Sequence, residues 1–161
     1  MNSKSMLGLL FIGFAGAAGA ADLPTSLALE AAQEAVESCH KAGYEVTATV
    51  VDAAAVTKVV IRADNARDGT VQIAYRKAYT VIKAGMTSGE FGKTVPPQTT
   101  TPGTPPGPVN GDPNLITWAG GLPIKVGGSI IGAFAVSGAP GGEKDEACVQ
   151  AGIAKIASRL K

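Results

Sequence analysis

The sequence predicts a mixed α/β domain of the α+β kind: a mostly antiparallel sheet of about five strands with helices on both faces. Three observations lead there. Segments rich in β-branched and small apolar residues come as adjacent pairs joined by short turns, at 44–64 and 120–138, as antiparallel hairpins do. Three other segments, at 25–42, 69–83 and 141–161, repeat apolar residues at the helical period. The second pair, GGLPIKVGGSIIGAFAVSG, is apolar on both faces, whereas a sheet with one wet face alternates apolar with polar residues. Such a sheet has to be covered twice.

The first twenty residues, MNSKSMLGLLFIGFAGAAGA, stand apart from this domain. Lys4 precedes an apolar run from Met6 to about Ala15, and Ala18-Gly19-Ala20 is a small-x-small cleavage site, so residues 1–20 read as a secretory signal peptide. The run is short against the ~20 residues that span a bilayer, which sets a membrane anchor behind export. The expectation is a periplasmic or secreted protein without a membrane span, its residues 21–161 forming a single domain large enough for one core. Without Lys4 the charges balance at 13 Lys and Arg against 13 Asp and Glu. Neutrality argues against nucleic acid, which requires a clustered cationic excess. A small-molecule ligand or another protein is the expected partner.

Within the domain, TSLALEAAQEAVESCHKA (25–42) reads as the first helix, with Thr25 or Ser26 as cap and Gly43 as stop; Ala28, Ala32, Ala35, Val36 and Cys39 form its apolar stripe. YEVTATVVD and VTKVVIRAD follow as antiparallel strands about a tight connection at Ala53-Ala54-Ala55. GTVQIAYRKAYTVIK (69–83) returns to the helical period through Ile73, Ala74, Lys77, Ala78, Val81 and Ile82, and stops near Gly85. The Pro/Thr-rich stretch at 96–113 lacks the backbone donors for a regular ladder and reads as a long loop inside the domain.

A strand is expected at 115–119. After it, the Gly127-Gly128 turn sets Ile124 opposite Ile131 and Lys125 opposite Ile130. Leu122, Ile124, Val126, Ile131, Ala133 and Ala135 then share one face, and Ile130, Gly132, Phe134 and Val136 the other. Gly132 and Gly138 leave room for a helix or a neighbouring subunit near the backbone. GGEKDEACVQAGIAKIASRLK (141–161) is acidic at its start and basic at its end, which suits the helix dipole, and buries Val149, Gly152, Ile153, Ile156 and Leu160.

Five short motifs occur in a distinctive order: Val50-Val51-Asp52, Lys77-Ala78-Tyr79-Thr80-Val81, Gly120-Gly121-Leu122-Pro123-Ile124, the hairpin from Gly128 to Gly138, and Asp145 to Gly152. In this the chain resembles the GlcG/HbpS-like family, also called the haem-degrading domain family, from about Leu27 to its end. It departs from the family at Ala54 and Ala55, where relatives carry glycines, and at 96–113, which replaces a loop that borders the ligand site in relatives. The resemblance implies a profilin-like three-layer fold and self-association as a dimer or octamer. It also implies haem as the ligand, with a role in haem degradation or iron sequestration. Two other readings stand beside it: an enzyme acting on a small organic substrate, and an oligomeric accessory protein without catalysis. No Ser/His/Asp or paired-carboxylate spacing supports a hydrolase.

Under that resemblance His40, the chain's one histidine, is the candidate metal ligand to haem iron. The competing reading is a partly exposed histidine at a helix end, where its cation suits the dipole. Arg76 and Lys77, beside Tyr75 and Tyr79, are candidates for gripping haem propionates, against a solvated helix face. Asp52 and Asp145 match acidic family positions and read as structural, one closing a turn and the other favouring a helix start. No catalytic residue is identified. Cys39 and Cys148 show no zinc spacing. In the family fold their helices pack antiparallel on one sheet face, which makes them a disulfide candidate, with a pair of buried thiols as the alternative.

Overall fold

In a computed structural model of the chain, which describes residues 22–97, 104 and 106–161, four strands form one antiparallel sheet between two helical layers. The expected signal peptide and part of the 96–113 loop lie outside the described residues. In chain order the elements are α1 (Thr25–Lys41), β1 (Thr47–Asp52), β2 (Thr57–Arg62), α2 (Thr70–Ala84), α3 (Ser88–Thr94), β3 (Gly121–Val126), β4 (Ser129–Ser137) and α4 (Gly142–Ile156). A 3-10 turn over Ala157–Arg159 follows. The strands lie side by side as β2-β1-β4-β3, each pair antiparallel.

The double covering follows from the alternation of side chains along the two central strands. Ala48 and Val50 of β1 with Phe134 and Val136 of β4 bury against α1 and α4, while Val51, Ala133 and Ala135 bury against Ala78 and Val81 of α2. On the α1/α4 side the helices approach closely: a Cβ at Gly152 would collide with the Ala31 carbonyl and stand 2.6 Å from the Phe134 ring. The same pair of helices carries a disulfide between Cys39 and Cys148, both buried, with Cα atoms 5.5 Å apart and 109 residues between them in sequence. Among the described residues no helix is long and apolar enough to cross a membrane.

Several expectations are corrected. Residues 115–119 form no strand, so the sheet has four strands. The backbone there is taken by side chains of α2: the Ile116 amide donates to Thr80 Oγ1 at 2.9 Å and the Leu115 carbonyl accepts from Arg76 at 2.7 Å. With those groups bonded across to a helix, a ladder on the β3 edge cannot form. The hairpin keeps Lys125 opposite Ile130, but a bulge sets Ile124 opposite Gly132 rather than Ile131. Leu122, Ile124 and Val126 therefore share the α1/α4 face with Phe134 and Val136, and Ile131 joins the same cluster, leaving Ala133 and Ala135 to α2.

The room at Gly132 is taken by the Val51 carbonyl, 2.6 Å from where a Cβ would stand, and that at Gly138 by the Glu45 carbonyl. Neighbouring backbone of the same chain fills both spaces, not a helix or a second subunit. α1 starts after Pro24 with no side-chain cap from Thr25 or Ser26. Helix α3, which the apolar period does not predict, is announced by Thr87-Ser88-Gly89-Glu90: Thr87 Oγ1 accepts the Glu90 amide at 3.0 Å, and the Glu90 carboxylate accepts the Thr87 amide at 2.9 Å.

Candidate functional site

At the end of the sheet where β2 and β4 finish and β1 and β3 begin, α2 and α4 both start, and between them lies a cleft of about 670 Å³. Arg67 ahead of α2, with Thr70 and Ile73 from its first turn, forms one wall, Trp118 and Ala119 a second, and the 137–142 segment leading into α4 a third. The first amides of a helix lack partners within it and carry the positive end of its dipole; at the α4 start the Glu143 and Asp145 carboxylates already answer that charge, and Asp68 lines the cleft ahead of α2, whose first turn holds no acidic residue. Arg67 is exposed there, its guanidinium donating to the Gly138 carbonyl at 3.4 Å.

The deep wall of the cleft is an ion pair. Lys77, 2% exposed, donates from Nζ to Asp145 Oδ2 at 2.7 Å and to the Val136 carbonyl at 3.0 Å; Asp145, 3% exposed, accepts the Ala139 amide on its other oxygen at 3.0 Å. Burial pushes the Lys77 amine below its ordinary pKa and the Asp145 carboxyl above its own, and the attraction between the two opposes both shifts without cancelling either. Gly120 is pressed onto the pair: a Cβ there would stand 2.5 Å from Lys77 Nζ and 2.9 Å from the Asp145 Cβ. The adjoining Gly121 amide donates to Ser88 Oγ at 2.9 Å. The motif residues Lys77, Thr80, Gly120, Gly121 and Asp145 thus interlock as one fastening of the 115–121 segment onto α2 and α4.

His40 lies at the same end of the sheet but opens on another surface, a groove of about 400 Å³ with Val36, Ile61, Ala63 and Asp64 along it. Its side chain is 69% exposed, and Nδ1 bonds the Glu45 carboxylate at 2.7 Å. With Nδ1 as donor to the carboxylate, Nε2 carries the lone pair, the arrangement in which metal-binding imidazoles are commonly held.

The structure does not bring His40, Arg76 and Lys77 together. Lys77 is spent on Asp145. Arg76 donates to the carbonyls of Pro106, Gly107 and Leu115 at 2.9, 3.1 and 2.7 Å, and Tyr79 donates to Asp112 at 3.0 Å. The polar face of α2 therefore holds the chain's own proline-rich loop, which turns at Asn110 and Gly111, both with positive φ, between bridged Val109 and Asp112. Asp52 closes the β1–β2 turn by accepting the amides of Ala54 and Val56 at 2.8 and 2.9 Å.

Arg67, Thr70 and Trp118 carry no motif that marks them in the sequence. Trp118 had the one available signal, as the chain's only tryptophan. The two surfaces offer different chemistry. The cleft has a guanidinium, helix-start amides and an indole, together with the Asp68 and Asp145 carboxylates, but no histidine, cysteine, methionine or tyrosine among its lining residues. The His40 groove has a metal-capable nitrogen but is flanked by Glu37, Glu45 and Asp64. Among the described residues no cluster of three or more His, Cys, Asp or Glu side chains is placed to hold a metal ion.

The model of a family described as haem degrading protein, HbpS-like, matches residues 23–154. Among solved structures, HbpS is 29% identical, with 83% of this chain and 89% of that chain covered at a TM-score of 0.68. A double mutant of Streptomyces reticuli HbpS is 26% identical, covering 94% and 97% at 0.70. A PduOC:heme complex, 24% identical over 84% and 95% at 0.71, shares the fold. No curated protein matches the chain.

Proposed function

We propose that this chain, which belongs to the HbpS-like family of haem-degrading proteins, is an exported protein that binds haem where copies of itself meet. The observation that carries this reading is the His40–Glu45 pair, an exposed imidazole whose Nδ1 is held by a carboxylate so that Nε2 is left to bind iron. The complex of PduOC with haem, on the same fold, supports the ligand class.

The two surfaces divide what haem needs. Arg67 and the start of α2 would hold a propionate carboxylate, and Trp118 would cover the ring. His40 supplies the iron-binding nitrogen from a different surface at the same sheet end. A ligand served by both is most simply held by the cleft of one copy and the histidine of the next, which ties binding to self-association. Haem, when bound, supplies the iron chemistry with oxygen or peroxide on which degradation depends; the chain's part is to hold the carboxylates, cover the ring and offer one nitrogen. Export is supported by the signal-like residues 1–20 and by the buried Cys39–Cys148 disulfide, which suits an oxidising compartment.

Haem titration of the purified mature chain tests the reading. Wild type gives a saturable Soret shift that disappears in His40→Ala and weakens about tenfold, some 1.4 kcal/mol, in Arg67→Glu. Wild-type protein that shows no saturable binding ends it.

A further inference from the structure

The Lys77–Asp145 pair is built at a place where charge is expensive. A buried ion pair recovers its desolvation cost only with good geometry, and replacing both partners by apolar residues of similar volume is often neutral or stabilising. Here both ionised forms are disfavoured by burial more than the partner's charge restores. What the pair does accomplish is visible in its bonds. Lys77 Nζ fastens α2 to the end of β4 through the Val136 carbonyl at 3.0 Å and to α4 through Asp145 at 2.7 Å. Asp145 fixes the segment ahead of α4 through the Ala139 amide at 3.0 Å. Gly120 lies directly over both side chains, and its amide donates to Glu146 Oε1 at 3.3 Å, so the segment carrying Trp118 is seated on the pair. Three segments that border the 670 Å³ cleft, the middle of α2, the stretch from Trp118 to Gly120 and residues 137–142, therefore meet at one bond.

We infer that Lys77 and Asp145 are positioning residues for ligand in this cleft, kept for the geometry of its walls rather than for the stability of the fold. That the ligand is haem rests on the function proposed above; the positioning role does not.

The test is made first without ligand. In Lys77→Met/Asp145→Leu no charge is left buried and the cost is confined to the Val136 carbonyl and Ala139 amide that lose these partners, so the expected melting temperature stays close to that of wild type. Trp118, the chain's only tryptophan, reports the wall: its acrylamide quenching constant rises toward the unfolded value. Amides at 117–121 and 138–142 lose exchange protection while those of β1 and β4 keep theirs. A variant that melts well below wild type or does not fold overturns the inference, since the pair would then be serving stability. So does a stable variant with unchanged quenching and unchanged protection. Haem titration of the same variant is read separately: weaker binding alongside a loosened Trp118 joins the two readings. A wild type that ignores haem removes the ligand and leaves the clasp to be judged on Trp118.

Discussion

Lys77 shows how a residue can be found from sequence and still be misread. Its place in the second helix and in a motif was legible, and a lysine beside an arginine and two tyrosines reads naturally as a cationic face. What no local pattern reveals is that Asp145, 68 residues away, comes within 2.7 Å of it. Removing one member leaves the other charged and buried, so Lys77→Met alone should cost about 3–5 kcal/mol in chemical denaturation, far more than the double replacement. The pH dependence carries a definite sign. A carboxyl whose folded pKa lies above its unfolded value contributes stability at low pH that is lost as pH rises through the folded value. Wild type should therefore lose stability relative to Lys77→Met/Asp145→Leu as pH rises above the ordinary carboxylate range, and a difference that stays flat as pH rises from there would contradict the burial argument. Ala55 offers a simpler case. It holds φ at +65° in the turn closed by Asp52, a conformation that disfavours any residue with a Cβ, so Ala55→Gly should raise stability by about 1 kcal/mol, read as a higher urea midpoint.

Elements were more legible than their partners. The helices at 25–41 and 70–84 and the strands of both hairpins were readable because apolar period and glycine stops are properties of the local chain. The expected strand at 115–119 failed because Thr80 and Arg76 claim its amide and carbonyl, a long-range competition that a run such as Leu115-Ile116-Thr117-Trp118 does not display. The hairpin bulge was hidden too: Gly127-Gly128 specifies a turn, whereas the slip that sets Ile124 opposite Gly132 lies beyond it, in strands whose side chains join the core under α1 and α4. Those helices meet at a close junction. Gly152→Ala should cost about 1–3 kcal/mol, since a methyl there meets the Ala31 carbonyl and the Phe134 ring. Reduction of Cys39–Cys148, which spans 109 residues, should cost about 4–5 kcal/mol by chain entropy, read as a lower midpoint in urea with reductant. Both sulfurs are buried, so reduction should follow unfolding rather than precede it.

At the scale of the whole molecule the three layers do one thing for function: they bring the starts of α2 and α4, the exposed Arg67, the half-buried Trp118 and the His40–Glu45 pair to one end of the sheet. The layers were legible because an apolar run on both faces of 120–138 demands two coverings. The distribution of chemistry around the sheet end was not, because it depends on which loops meet there. The central claim is that cleft and histidine act on one haem from different copies, and mixing two defective variants tests it most directly. His40→Ala keeps the cleft and Arg67→Glu keeps the histidine. Mixed in equal amounts and titrated with haem, the pair is predicted to recover the Soret shift that each lacks or weakens alone, with larger assemblies on sizing. A mixture that binds no better than the average of its two components would contradict the account.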